Sequence, residues 1–289
     1  MPRAAASRAP CVVIQTVDFM NLTAIRAYFP GRDAEISRLE QLADADRPPV
    51  VTVLGKFNHG KSSLLNELIG ESVFAVSDAR QTTQLDALEQ DGVRWLDAPG
   101  LDADVMSEDD RLALSGTWEV ADIRLFVHSV REGELDGSEQ ALVTDLAADA
   151  THSGRAALVV LTQIDQVDEA TLANVERIVR DQVGALEVFP VSATRYKRGR
   201  EDGKHLMIEK SGMRALKSRI TQVAAHVHAA RAGELLTCCN VLRGHLVIAD
   251  AALRDRLAML KLDRNQMIAE FKREFWRLEA DVYKKFSEV

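Results

Sequence analysis

The sequence predicts an α/β fold with a mostly parallel sheet, joined to helices before and after it. Short apolar runs alternate with helical stretches between residues 50 and 191, as in parallel strands that helices cover on both faces. A glycine-rich loop follows the first of these runs and opens a helix. From about Ser211 the apolar residues repeat at spacings of three and four, which indicates helices to the end of the chain.

Five short runs are predicted to be strands. Val50–Leu54 is β-branched and apolar, as expected of a strand that is buried on both faces. The other four are Val93–Asp97, Ile123–Val127, Ala157–Leu161 and Leu186–Val191. Lys61–Ile69 is predicted to be a helix, and a polar helix is expected from about Asp109.

The composition indicates a globular protein without a large nucleic-acid surface. Of 289 residues, 46% are hydrophobic and 28% are charged, and the formal net charge is -8. A large nucleic-acid footprint requires a basic excess, so direct nucleic-acid binding is not expected. No apolar run approaches the ~18 residues that span a bilayer. We therefore expect a cytoplasmic protein, with peripheral membrane attachment as the alternative.

The loop after the first predicted strand carries a phosphate-binding pattern. Residues 55–62 read GKFNHGKS, which matches G-x-x-x-x-G-K-[ST]. The two glycines let backbone N–H groups turn toward phosphates, and the following helix points its positive end at them. Lys61 adds a charge at the β- and γ-phosphates, and the Ser62 hydroxyl is a predicted Mg²⁺ ligand. The predicted nucleotide-binding residues of this loop are Gly55, Asn58, His59, Gly60, Lys61, Ser62 and Ser63.

Two downstream segments are predicted to complete the Mg²⁺ and γ-phosphate site. Asp97 ends a predicted strand and begins the sequence Asp-Ala-Pro-Gly. Its carboxylate is predicted to hold Mg²⁺ through water, while the Gly100 N–H meets the γ-phosphate. Gln81-Thr82-Thr83 lies in the preceding polar loop, where a switch threonine would close over the nucleotide and bind Mg²⁺. Thr83 is favoured over Thr82 for this role.

Two further segments are predicted to select guanine. Thr162, Gln163 and Asp165 follow a predicted strand in the pattern [NT]-[KQ]-x-D. The Asp165 carboxylate can accept hydrogen bonds from the guanine N1–H and exocyclic amine, which adenine cannot offer. Ser192 and Ala193 follow the last predicted strand, where a backbone N–H would meet the guanine O6. The five segments together predict a Mg²⁺·GTP site.

These segments, in this order, resemble those of translation-factor-type GTPases from Val50 to about Lys217. Residues 55–70 (GKFNHGKSSLLNELIG) and 96–101 (LDAPGL) are similar to both the Era/TrmE group and the dynamin-like group. The loop from Gly60 to Thr83 resembles Era. The C-terminal helices do not resemble the RNA-binding KH domain of Era; they look more like a dynamin-like neck or stalk, or a TrmE-like helical adaptor. The resemblance implies a P-loop NTPase G domain that hydrolyses GTP with Mg²⁺.

The resemblance leaves the catalytic group open. Many small GTPases place a water-positioning glutamine after the Asp-x-x-Gly motif, but Leu101 stands there and cannot orient a nucleophile. In the TrmE-like pattern an asparagine at the position of Asn58 binds K⁺, so K⁺ is a second candidate cofactor; alternatively, Asn58 only braces the loop. His59 and Arg80 could act across a dimer, although a solvated loop position is the favoured interpretation of both. The predicted catalytic residues are Lys61, Asn58, Thr83 and Gly100.

Four segments are predicted along the chain. Residues 1–14 are a disordered lead, 15–48 a helical segment that packs on the neck, 49–222 the G domain, and 223–289 a helical neck or stalk. The neck has an apolar seam typical of a coiled coil, which requires a partner: the N-terminal helices, a second copy, or a continuation if the chain is truncated. The seam comprises Leu235, Cys239, Leu242, Leu246, Ala249, Leu253, Ile268, Phe271, Phe275, Leu278 and Val282.

Three hypotheses for function follow. The leading one is a dynamin-like GTPase in which nucleotide-dependent homodimerisation moves the helical arm, with a membrane surface as a candidate partner. The second is an Era/TrmE-like regulatory GTPase in RNA modification or ribosome assembly. The third is a GTP-binding adaptor with little turnover.

Overall fold

The computed structural model describes residues 26–44, 46–74, 86–97, 118 and 120–287. Several predicted features lie outside this part of the chain. They are the lead at residues 1–14, the switch residues Thr82 and Thr83, the Gly100 contact, and the helix expected from about Asp109.

Six strands form one sheet in the order β2-β3-β1-β4-β5-β6. The strands are β1 (Val50–Leu54), β2 (Asp86–Gln90), β3 (Val93–Asp97), β4 (Ile123–Ser129), β5 (Ala156–Thr162) and β6 (Glu187–Pro190). Strands β2 and β3 pair antiparallel, and the other neighbouring strands pair parallel. The predicted α/β fold with a mostly parallel sheet is therefore confirmed.

Helices precede, connect and follow the strands. They are α1 (Asp33–Ala43), α2 (Lys61–Ile69), α3 (Gly137–Ser153), α4 (Glu169–Val183), α5 (Ala193–Glu201), α6 (His205–Glu209), α7 (Met213–Ala224) and α8 (Val227–Ser287). Helix α3 opens with a capping box, in which Asp136 accepts from the backbone N–H of Ser138 and Glu139, and Glu139 accepts from the Asp136 N–H. This box fixes the first turn of α3 beside the phosphate loop.

The edge strand β2 is not among the predicted strands. It forms a hairpin with β3 through a two-residue turn, in which Asp91 has φ 52° and Gly92 has φ 71°. Asp-Gly is a preferred pair for such a turn because both central residues need a positive φ. The dipeptide was thus the available sequence signal for this strand.

Two apolar cores cover the two faces of the sheet. Side chains alternate along β1 and β4, so Val53 and Leu125 enter one core while Leu54 and Phe126 enter the other. Helices α2 and α7 contribute Leu64, Leu65, Leu216 and Ile220 to the first core. Helices α3 and α4 contribute Val143, Leu146, Val175 and Val179 to the second. The sheet is therefore the middle of three layers, and its strand ends are left to build the site.

The chain divides into two compact units, Met1–Leu235 and Leu236–Val289. This division lies after the predicted domain boundary at residues 222–223. The reason is that the first turns of α8 carry Val227, Arg231 and Glu234, which are buried within the first unit. Within that unit, the predicted N-terminal segment contacts the beginning of the predicted neck. Arg38 forms a bidentate ion pair with Glu234, and the carbonyls of Arg47 and Pro48 accept from Arg231.

The second unit consists of the remainder of α8, whose apolar side chains are exposed. Leu253 is 70% exposed, Phe271 69% and Phe275 54%. Within the described residues one helix, Val227–Lys284, is long and apolar enough to cross a membrane by length and composition alone. The expectation concerned uninterrupted apolar runs, whereas this helix meets the criterion through its average hydropathy, with polar and charged residues between the apolar ones. Core helices of soluble proteins meet the same length and composition criterion.

Candidate nucleotide site

The predicted site residues that the structure describes collect at the carboxyl ends of the parallel strands. The phosphate loop follows β1, Asp97 ends β3, and Thr162 ends β5. In open α/β sheets, ligands bind at this edge, next to the point where the strand order reverses. Here that point lies between β1 and its two parallel neighbours, β3 and β4.

The phosphate loop is held tightly against β4. Gly55 has φ 149°, and a Cβ at this position would lie 2.1 Å from the Val127 carbonyl oxygen. Only glycine fits so close to another backbone. Lys61 is 9% exposed, and its Nζ donates to the Lys56 carbonyl oxygen at 2.7 Å. The lysine ammonium is thus held within the loop that would surround the phosphates. Ser63 is half-buried in the first turn of the following helix.

The two described residues of the predicted magnesium site are in direct contact. Ser62 Oγ donates to Asp97 Oδ2 at 2.8 Å, and Asp97 is 3% exposed. A hydroxyl and a carboxylate beside a phosphate loop are the oxygen donors that Mg²⁺ prefers, and Mg²⁺ usually keeps waters and substrate oxygens as its other ligands. The donor set therefore fits this ion. Thr83, the third predicted ligand, lies outside the described residues.

Asn58 and His59 occupy different environments within the phosphate loop. Asn58 is exposed and has φ 58°, a left-handed conformation that asparagine tolerates better than most residues. His59 is only 4% exposed, so its interpretation as a solvated loop residue is wrong. Its ring faces the Val127 carbonyl and the Glu139 carboxylate because β4 and the first turn of α3 lie behind the loop. Burial lowers the pKa of the His59 imidazole.

The predicted guanine-binding residues form a connected group after β5 and β6. Ser192 Oγ donates to Asp165 Oδ1 at 2.5 Å and also caps α5 by accepting from the Arg195 N–H. The backbone N–H of Ser192 donates to the Ser211 carbonyl at 2.9 Å. Ser192 therefore cannot offer that N–H to a base, and the contact predicted for the pair falls to Ala193. The Ala193 N–H is in the first turn of α5, where backbone donors have no partner within the helix.

Thr162 and Gln163 connect the base-binding segment to the phosphate loop. Thr162 Oγ1 donates to the His59 carbonyl at 2.6 Å, and Gln163 Nε2 donates to the Asn58 carbonyl at 2.9 Å. Gln163 Oε1 also accepts from Ser129 Oγ at 2.9 Å. The Gln163 amide, which stands in place of the usual lysine, thus connects the phosphate loop to the end of β4.

Sequence reasoning missed the residues that support the loop from α3. Lys56 forms an ion pair with Asp136, and this contact holds the Asp136 carboxyl pKa well below its usual range. His128 and Glu139 lie under His59. The Asp-x-x-Glu spacing of the capping box was a readable signal for this helix start, but nothing local to the sequence pointed to His128.

The fold and the phosphate loop place this protein in the class of α/β P-loop NTPase folds, and its G-domain segment resembles that of P-loop GTPases. Residues 50–177 match a family model described as 50S ribosome-binding GTPase. An uncharacterized protein of Acinetobacter baylyi is 50% identical over 224 residues, which are 77% of this chain and 52% of the relative. GTPase Der of Acetivibrio thermocellus is 29% identical over 184 residues, which are 59% of this chain and 39% of the relative.

Two solved structures are similar at lower identity. Era, in complex with MgGDPNP and nucleotides of 16S ribosomal RNA, is 23% identical over 55% of each chain, with a TM-score of 0.43. A member of an oligomerised bacterial dynamin pair is 15% identical over 89% of this chain and 50% of that one, with a TM-score of 0.48. The chain thus spans 52% of the Acinetobacter baylyi relative and 39% of this GTPase Der.

Proposed function

We propose that this protein binds and hydrolyses GTP as a dynamin-like protein, with nucleotide-dependent homodimerisation moving its helical arm. The observation that carries the nucleotide assignment is the convergence of three elements at one sheet edge. They are the phosphate loop with Lys61, the Ser62–Asp97 contact, and the Asp165–Ser192 contact. Phosphate, metal and guanine recognition are thus available within one pocket.

Each described residue has a role that follows from its chemistry. Backbone N–H groups of the loop and the N-terminus of α2 bind the phosphates, and Lys61 moves from the Lys56 carbonyl to the β- and γ-oxygens. Ser62 and Asp97 would hold Mg²⁺, which supplies charge neutralisation between the β- and γ-phosphates. Asp165 accepts from the guanine edge. Thr83 and Gly100 remain predicted contacts to the metal and the γ-phosphate.

The contacts at the base of α8 support the proposed movement of the arm. Arg231 donates to both oxygens of Asp122, and Asp122 Oδ2 accepts from the Val50 N–H. Val50 begins β1, and the other end of this strand leads into the phosphate loop. A rigid strand therefore runs from the nucleotide site to the residue that anchors the helix.

The nucleotide assignment is tested with purified protein and fluorescent GDP in the presence of Mg²⁺. Lys61→Ala should abolish binding, while Lys204→Ala, which removes an exposed lysine paired with Asp202, should leave it intact. Equal affinity in the two variants would reject the assignment. Hydrolysis is measured by multiple-turnover phosphate release, and its absence at saturating GTP would favour the GTP-binding adaptor.

The role of Asn58 is tested in the same assay. We propose that Asn58 binds K⁺ where an arginine finger would otherwise lie, so that the cation stabilises the charge that develops on the β–γ bridging oxygen. Turnover should then be faster in KCl than in NaCl at equal ionic strength, and Asn58→Ala should remove the difference. Equal rates in both salts would leave Asn58 as a loop brace only.

Dimerisation and membrane binding require separate measurements. The exposed apolar side chains of α8 favour a dynamin-like arm, and a GTP analogue should then convert monomers to dimers in light scattering and promote liposome co-sedimentation. The family model's description as a ribosome-binding GTPase, together with 26% identity to an Era of Geobacter metallireducens, favours the Era-like alternative. Co-sedimentation with 50S subunits, without liposome binding, would support that alternative and show that nucleic acid is a partner.

A further inference from the structure

A compact group of three ligating side chains lies behind the phosphate loop. His59, His128 and Glu139 are 4%, 1% and 3% exposed, and one ligand atom from each falls within 4.8 Å of the others. His128 Nδ1 lies 2.9 Å from Glu139 Oε1, and His59 Nδ1 lies 3.7 Å from the same oxygen. The two imidazole rings meet edge to face, with centroids 5.2 Å apart.

The polar partners of His128 fix the orientation of its ring. Its Nε2 lies 3.1 Å from the Gly133 carbonyl, which can only accept a hydrogen bond. A neutral His128 that donates through Nε2 presents a lone pair at Nδ1, and this lone pair faces the Glu139 carboxylate. Glu139 Oε2 accepts from the Asp136 N–H at 3.2 Å and lies 3.8 Å from Lys56 Nζ, while Oε1 faces the two imidazoles. In that tautomer of His128, ligand atoms of two buried side chains face each other, as they would around a bound ion.

We propose that His59, His128 and Glu139 bind one divalent transition-metal ion of the zinc class. Two imidazoles and one carboxylate are a donor set that suits Zn²⁺ and neighbouring metals and differs from the all-oxygen set of the Mg²⁺ site. The Gly133 carbonyl orients His128 from behind, as carbonyl partners do for metal-binding histidines. Bonds of about 2.0–2.1 Å at tetrahedral angles place ligand atoms roughly 3.3 Å apart, so the group needs only small shifts to close on an ion.

A metal ion in this position acts on the phosphate loop. His59 lies between Asn58 and Gly60, while His128 belongs to β4 and Glu139 to α3. The ion would join these three elements and add to the Lys56–Asp136 ion pair, which links the other end of the loop to the same helix. The site would thus set the rigidity of the loop independently of Mg²⁺ and nucleotide.

Calorimetric titration of the chelator-treated, nucleotide-free protein with Zn²⁺ alone tests the proposal. One ion should bind per chain, and His128→Gln or Glu139→Gln should weaken binding by at least about 100-fold, since even the loss of a supporting residue costs 10–100-fold. Two controls should keep wild-type affinity: Cys238→Ser/Cys239→Ser, which removes the adjacent thiols, and His226→Gln/His228→Gln, which removes two exposed histidines. Binding lost in the cysteine variant and kept in the His128 variant would overturn the proposal.

A second measurement on the unaltered chain covers variants that fail to fold. Co²⁺ in the proposed site should give visible d–d bands without the thiolate charge-transfer absorption of cysteine ligands. No Zn²⁺ binding to the unaltered chain, or a thiolate band with Co²⁺, would overturn the proposal.

Discussion

The ion pair between Arg231 and Asp122 should carry a large share of the stability of the first unit. Arg231 is 5% exposed; it donates to Asp122 at 2.9 and 2.6 Å and to the carbonyls of Arg47 and Pro48 at 2.6 and 2.9 Å. Arg231→Ala leaves the Asp122 carboxylate buried with the Val50 N–H as its described partner. Removing one member of a buried pair costs about 3–5 kcal/mol in the free energy of unfolding. In a unit of this size that corresponds to a fall of about 6–20 °C in Tm.

The matched control is Arg219→Ala. Arg219 pairs with Glu187, but their side chains are 37% and 48% exposed, so this loss should cost about 0–1 kcal/mol. Urea unfolding is followed by tryptophan fluorescence in a Trp276→Phe background, which leaves Trp95 and Trp118 as reporters of the first unit. Adding Asp122→Asn to Arg231→Ala should recover part of the loss because the unpaired charge is gone. Equal stability of the Arg231 and Arg219 variants would refute the reasoning.

Substitutions at three further residues test the pocket and its support. Asp165→Asn should weaken GTP binding by at least about 100-fold and favour xanthosine triphosphate, because an amide accepts from N1–H and donates to the xanthine O2, whereas a carboxylate cannot donate. Asp136→Ala should cost about 1 kcal/mol through the lost helix cap, and Asp136→Asn should cost less at neutral pH. Because the pKa of Asp136 is depressed in the folded protein, its ionised form contributes stability above about pH 4, and this contribution is lost as the pH falls further. In Asp136→Asn the free energy of unfolding should therefore fall less steeply at acid pH. Gly55→Ala should cost at least about 1–3 kcal/mol and impair nucleotide binding, because its Cβ would meet the Val127 carbonyl.

Each of these substitutions has an outcome that contradicts its premise. If fluorescence titration shows that Asp165→Asn prefers GTP over XTP as strongly as the wild type does, the base must bind elsewhere. If the urea midpoint of Asp136→Ala equals that of the wild type, Asp136 does not stabilise α3 as a cap. If stability falls at acid pH in Asp136→Asn as it does in the wild type, the ionisation of Asp136 is not linked to folding. Normal stability and affinity in Gly55→Ala would mean that the loop is free to move away from β4.

The sequence predicted the fold and the parts of the pocket that are local to a motif. Lys61, Ser62 and Asp97 lie where the phosphate-loop pattern and the strand ends predict, since β1 leads into the phosphate loop and Asp97 ends β3. The environment of His59 could not be predicted in this way. Its burial depends on His128 and Glu139, which fold behind the loop from distant parts of the chain.

Backbone donors were equally hard to assign from sequence. The N–H of Ser192 is taken by the Ser211 carbonyl, a contact created by the turn before α7. No pattern near Ser192 reveals that partner. The edge strand β2 is a different case. The Asp-Gly pair of its turn is a recognisable hairpin signal, but the mixed polar composition of the strand itself does not indicate a strand.

Gln163 has a consequence for how the protein would discriminate between nucleotides. One amide group touches the loop that surrounds the phosphates and the strand beside it, and it is two residues from the carboxylate that would meet the base. A purine that fits poorly at Asp165 therefore also disturbs the loop at Asn58. If base recognition and phosphate binding are coupled through these contacts, Gln163→Ala should change the nucleotide dissociation rate.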